Sequence, residues 1–168
     1  FGILYSLTAG GGWLRLCLCI SSRTIPDQGV QMRLSPAAEL AIRGVVVLAE
    51  SYGEGPVTLK AICDGRELPK QYLVKLFSLL AKADIITAVR GKRGGYVLSR
   101  EPDKISLLEV VEAVEGPLAL NLCQHTPPRC NEKGCPMRTM WAELQSLFRE
   151  KLQRVKIHEC TAACTGVK

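Results

Sequence analysis

Aromatic residues make up only 5% of this 168-residue chain. A core must therefore be assembled mainly from Leu, Val, Ile and Ala. Long apolar runs are also missing. The stretch from Trp13 to Ile20 is short and is broken by Arg15, which excludes a membrane span there. No basic start precedes that stretch, as a secretory signal requires. Paired carboxylates, a nucleophile with its base and a phosphate-cradling loop are all lacking, so nothing points to catalysis. The composition, 47% hydrophobic and 23% charged, excludes a disordered chain and fits an ordinary globular one.

What the chain does have is cysteine and an uneven charge. Eight cysteines are present, and they are clustered rather than spread. Clustering fits metal or iron–sulfur ligation in a reducing, cytoplasmic compartment better than a disulfide framework. The net charge is +6. Residues 32–98 hold ten Lys/Arg against six Asp/Glu, an excess of +4, while the segments on either side carry +1 each. Any polyanionic partner is expected at the middle segment; the bland alternative is a solvated face.

Residues 1–31 contain Gly10-Gly11-Gly12 and show no helical period. Patterning begins at Met32, which reads as a functional start. Residues 1–31 are then an upstream extension or a floppy tail, with a membrane anchor as the competing reading. Cys17 and Cys19 receive no role.

Ser35-Pro36 is a strong helix start, Ser as N-cap and Pro at the first helical position. Leu40, Ala41, Val45 and Leu48 recur at helical spacing, predicting a helix over 36–51 that ends before Gly53 and Gly55-Pro56. Thr58 caps a short second helix over 59–63, with Leu59, Ile62 and Cys63 on its inner side. Gly65 gives a turn, and Pro69 opens a third helix. Leu73, Leu76, Phe77 and Leu80 form its buried stripe, leaving Lys70, Gln71, Val74, Lys75 and Ser78 outside. Two helices joined by a tight turn, the second polar and basic on its outer face, form a DNA-reading arrangement, because a helix fits the major groove. A hairpin follows, with a strand from Ile85, a turn through Gly91-Lys92-Arg93-Gly94-Gly95 and a return over 96–99. Its basic tip, Arg90, Lys92 and Arg93, suits phosphate contacts that position without reading sequence. The fold class expected is mainly α with a small β wing.

A helix is predicted over 105–114, with Ser106 near its cap and Gly116-Pro117 ending it. Cys123, Cys130 and Cys135 follow in a C-x6-C-x4-C pattern, within a loop containing Pro127, Pro128 and Gly134. Three thiols in one loop can wrap an iron–sulfur cluster, form part of a zinc knot, or stay free. His125 lies in the same loop, either as a further ligand or as a solvent-exposed side chain. One long helix is predicted over 136–159. Met137, Trp141, Leu144, Phe148, Leu152 and Val155 alternate three- and four-residue steps along it, nearly a coiled-coil seam. The seam packs either on its own domain or on a second copy. Cys160 and Cys164 fall in a C-terminal tail.

The segments Met32-Arg33-Leu34-Ser35, Tyr72 to Phe77, Val89 to Tyr96 and Glu112-Ala113-Val114-Glu115-Gly116 resemble the bacterial IscR/NsrR-type transcriptional regulators. The likeness runs from Met32 to about Cys135. It implies a homodimer on a roughly palindromic double-stranded DNA operator, with Gln71 and Tyr72 at the groove and Arg90 reaching the minor groove. It also implies an iron–sulfur cluster, 2Fe-2S or 4Fe-4S, held by Cys123, Cys130 and Cys135. Some members add a His three residues after the third cysteine. Here that residue is Arg138, which cannot ligate iron. Others take a carboxylate from the partner's first helix, a position matched by Glu39, whose ordinary role is to meet the helix dipole. The organisation expected is an extension (1–31), a winged helix-turn-helix domain (32–99), a linking helix (100–122), a cluster loop (123–135), a dimerisation helix (136–159) and a tail (160–168). A cluster-gated regulator follows. Its alternatives are the same scaffold answering to a partner protein or metabolite, and an iron–sulfur electron carrier.

Overall fold

The computed structural model describes residues 34–64, 69–91 and 93–164, the last three by backbone alone. The expectations for residues 1–31, the start at Met32, the Gly65 turn and Lys92 lie outside the described residues. The elements run α1 (Pro36–Glu50), α2 (Leu59–Asp64), α3 (Lys70–Lys82), β1 (Ile86–Val89), β2 (Gly95–Leu98), α4 (Leu107–Glu115), α5 (Met137–Arg154) and α6 (Ile157–Cys164). This is the mainly helical fold with a small antiparallel wing that the pattern predicts. Among the described residues no helix is long and apolar enough to cross a membrane.

The core gathers around α1, which packs on α2, α3, α4, α6 and β2. Local chemistry sets its start: the Ser35 hydroxyl accepts from the Ala38 N–H at 3.2 Å, and Pro36 occupies the first turn. Ala41, Val45 and Leu48 are buried and meet Leu73, Leu76, Phe77 and Leu80 of α3. Gly44 lets the two helices approach. A Cβ there would lie 2.7 Å from Phe77 Cε1, inside any normal contact. Thr58 caps α2 by accepting from the Ala61 N–H at 3.2 Å. Pro69 stands one residue earlier than expected, as the N-cap of α3 rather than its first helical residue.

The wing pairs Ile86 with Leu98 through Val89 with Gly95. Val57 adds a bridge on the outer edge of β2, exchanging hydrogen bonds with Tyr96 at 2.9 and 3.0 Å. A Cβ on Gly95 would run into the Val57 carbonyl oxygen. Gly95→Ala is therefore expected to push Val57 off the sheet and lower stability by about 1–3 kcal/mol. A denaturant melt that matched the parent would refute this.

Ser106, fully buried, builds a capping box on α4. Its hydroxyl accepts from the Glu109 N–H at 3.2 Å, and the Glu109 carboxylate takes the Ser106 N–H at 2.8 Å. Burial works against the Glu109 charge, but the bonds from Ser106 and Arg100 outweigh it and hold the carboxyl below its ordinary range. Its contribution to stability is thus present above the usual carboxylate range and is lost as pH falls through the lowered value.

The predicted single helix over 136–159 is two helices. α5 ends at Arg154 and is capped by Val155, whose carbonyl accepts from the Leu107 N–H at 2.9 Å, while the Ile157 N–H donates to the Ile105 carbonyl at 3.0 Å. Ser106 and Lys156 form an antiparallel bridge. Ile105 and Ile157 are both fully buried. Seating Ile157 in the core, paired with Ile105, requires the chain to leave the helix at that point. Beyond it, α6 packs on α1, so residues 160–164 are helical rather than a frayed tail, and Cys160 is half-buried.

Candidate nucleic-acid interface and cysteine loop

The outer face of α3 follows from its inner one. With Leu73, Leu76, Phe77 and Leu80 committed to the core, the helical period turns Lys70, Gln71, Tyr72 and Lys75 outward, and all four are exposed. Tyr72 leaves 40% of its surface accessible, together with Val74 beside it. The wing is braced against this helix by the shared core of Ile86 and Leu98 with Phe77 and Leu80, and by an aromatic contact. The rings of Phe77 and Tyr96 meet edge to face, with centroids 4.8 Å apart. Arg90 and Arg93 are exposed at the wing tip, where the Gly94 N–H closes the turn on the Gly91 carbonyl at 2.9 Å.

Arg43, Arg100, Lys104, Arg149 and Arg154 each pair with a carboxylate. Among the described residues, Lys70, Lys75, Arg90 and Arg93 have no such partner. Lacking a carboxylate partner does not by itself mark this face, since Lys60, Lys82, Arg129, Lys133, Lys151 and Lys156 are also without an ion pair among the described residues. Solvated, unpaired cations on a recognition helix and a wing suit a polyanion that supplies its own phosphates.

Cys123, Cys130 and Cys135 all lie between α4 and α5, and all are free and half-buried. Cys123 belongs to a 3-10 turn, Leu122–Gln124, which Asn121 caps and which packs on α5. The Arg129 N–H returns to the Leu122 carbonyl at 2.9 Å and closes the first part of the loop. Cys135 immediately precedes Pro136, the N-cap of α5. The Gln124 amide donates to Cys123 Sγ at 3.3 Å and to the Arg138 carbonyl at 3.3 Å. The donor chemistry suits iron, since thiolate is its usual ligand in clusters. The geometry is open: among the described residues, no three Cys, His, Asp or Glu side chains stand close enough to share a metal ion. Glu39 sits in the first turn of α1, exposed and paired with Arg43 one turn on. His125 is half-buried in the loop.

α5 carries the predicted apolar seam, and most of it is uncovered. Leu152 alone is buried, while Leu144, Leu147 and Phe148 expose 43%, 58% and 39% of their surfaces. Sequence reasoning missed two positioning residues, Val57 and Tyr96. A one-residue bridge leaves no period to detect, and the ring contact depends on how the hairpin folds back on α3.

A family model described as Rrf2, an iron-dependent transcriptional regulator, matches residues 34–163. The HTH-type transcriptional regulator CymR of Bacillus subtilis is 29% identical over 136 residues, covering 80% of this chain and 94% of that protein. The HTH-type transcriptional regulator IscR of Sodalis glossinidius is 30% identical over 128 residues, 76% of this chain and 78% of that one. Two solved structures align over most of the fold. One is CymR, described as the global cysteine regulator of B. subtilis, with a TM-score of 0.68 and 26% identity over 79% of this chain and 98% of that one. The other is IscR of T. potens, with a TM-score of 0.67 and 25% identity over 82% of this chain and 93% of that one.

Proposed function

The chain belongs to the Rrf2 family of DNA-binding transcriptional regulators, and from that premise we propose that it acts as a homodimer whose operator affinity is set by an iron–sulfur cluster. Its relatives are regulators and not enzymes. The observation that carries the cluster is the placement of three free, half-buried thiols in one loop between the DNA-binding half and α5. Cys123, Cys130 and Cys135 would hold the group, which supplies a centre sensitive to oxygen, nitric oxide or iron supply. Glu39 of a partner's α1 is the fourth ligand proposed, and taking that role means giving up its pairing with Arg43. The loop joins α4 to α5, so any rearrangement that draws the thiols together is felt at both. DNA as the target makes the cytoplasm its place of action. Iron and acid-labile sulfide measured on anaerobically purified protein test the cluster: both present in stoichiometric amount supports it, and neither present overturns it.

Lys70, Gln71, Tyr72 and Lys75 on α3, and Arg90, Lys92 and Arg93 at the wing, form the DNA contact in this reading. Arg90→Ala is expected to weaken binding by a similar factor on every sequence and to reduce the slope of log affinity against log salt by about one. Anisotropy titrations at several salt concentrations measure it. A loss confined to one sequence would show instead that Arg90 reads bases.

A second reading has an observation of its own. One relative, CymR, is described as a cysteine regulator, and the described thiols do not converge. In that reading the same scaffold answers to a partner protein or metabolite, and the iron analysis separates the two.

A further inference from the structure

A cavity of about 330 Å³ opens where the cysteine loop meets α5. Leu118 and Ala119, from the segment after α4, give it an apolar wall, and Arg129 of the loop and Arg149 of α5 line it from the other elements, with Gln124 and Gln145 between. No Asp or Glu is among its lining residues. The two arginines are differently placed. Arg149 gives one Nη to Glu112, whose carboxylate also accepts the Leu118 N–H at 2.9 Å and is thus engaged twice. The Arg129 guanidinium has no partner among the described residues. Gln145 accepts the Leu120 N–H at 3.1 Å through its carbonyl oxygen, and among the described residues its amide N–H groups have no acceptor. The cavity therefore combines excess donors and positive charge with an apolar wall.

We propose that this cavity binds a small organic acid, its carboxylate held by Arg129 and Arg149 and its carbon chain laid against Leu118 and Ala119. Guanidinium groups match a planar carboxylate through paired N–H donors. A few convergent polar groups beside an apolar wall is the usual make-up of a metabolite site. The volume has room for roughly ten water-sized groups at ~30 Å³ each, enough for several carbons and a polar end. Because the walls come from the cysteine loop and from α5, occupancy would fix the loop against that helix. The proposal stands apart from the cluster reading, and its test contains neither iron nor DNA.

The test is a titration of the ¹⁵N-labelled full chain with butyrate, glutarate and inorganic phosphate, each at matched ionic strength, followed through side-chain and backbone amide shifts. The expected result is saturable binding of a carboxylate probe, with dissociation constant in the millimolar range or tighter, shifting the Gln124 and Gln145 side-chain amides. Arg129→Gln, a change at an exposed and unpartnered side chain, should weaken it at least tenfold. Lys133→Gln, which removes a cation of the same loop outside the cavity, should leave it unchanged. Three results would each overturn the proposal: no saturable binding by either carboxylate, binding of phosphate alone, or equal loss in both variants.

Discussion

Replacing Leu144 and Phe148 together with Glu is expected to yield a monomer that keeps its fold and loses operator binding. Both side chains stand on the uncovered seam of α5, 43% and 39% exposed. Neither belongs to the subunit's buried core. Fully burying a Leu or Phe contributes about 1.5–3 kcal/mol, and a two-fold interface counts each change twice. Glu at both sites also brings like charges together where a dry seam should form. The dimer is thus expected to weaken about a thousandfold, some 4 kcal/mol. Each monomer carries only one recognition helix, so it reads half an operator, and affinity for a palindrome should fall at least about a hundredfold. Sedimentation and anisotropy check the two effects, with far-UV circular dichroism confirming the fold. A variant still dimeric at micromolar concentration would place the interface elsewhere, and the seam would need another cover.

The second large effect concerns the thiols. Cys123→Ala, Cys130→Ala and Cys135→Ala are each expected to bring iron and sulfide close to zero, because loss of one thiolate of three leaves a cluster with too few strong ligands. Cys63→Ala should retain both: Cys63 is buried among Ile62 and its core neighbours, away from the loop. Cys160→Ala should do the same, since Cys160 lies on α6. Iron, sulfide and visible absorption on anaerobic samples give the answer. Full iron content in any of the three loop variants would remove that cysteine from the ligand set. Zinc in place of iron, lost in the same three variants, would keep the ligands and replace the metal.

The parts of this structure that were legible in the sequence are those decided within a few residues. Ser35-Pro36 starts α1 and Ser106 caps α4 through side-chain oxygens that reach N–H groups three residues on. The stripe of Leu73, Leu76, Phe77 and Leu80 is buried as its spacing requires. The glycine-rich basic hairpin forms where it was expected. The break at Val155 was not legible. The apolar seam reaches Val155, and no Gly or Pro follows to mark a helix end there; the interruption is imposed by Ile105, far away in the chain. α6 was hidden for the same reason: its helix is held by packing on α1 more than by any pattern of its own. At the candidate site, spacing identified three thiols in one loop, but loop conformation decides whether they converge, and spacing carries little of that. Arg129 and Arg149 come from different elements, and only the folded loop sets them around one cavity.

Control of DNA affinity by a cluster in the 123–135 loop makes affinity depend on the state of that cluster. The most direct measurement is the affinity of anaerobically purified protein for promoter DNA upstream of its own gene, before and after exposure to nitric oxide and to oxygen. Iron and sulfide are counted on the same samples. A cluster that is lost or altered should shift the dissociation constant about 5- to 150-fold, the range of a coupling of about 1–3 kcal/mol. Protein that lacks iron and sulfide as purified, and that binds the same DNA equally before and after both treatments, would contradict the account.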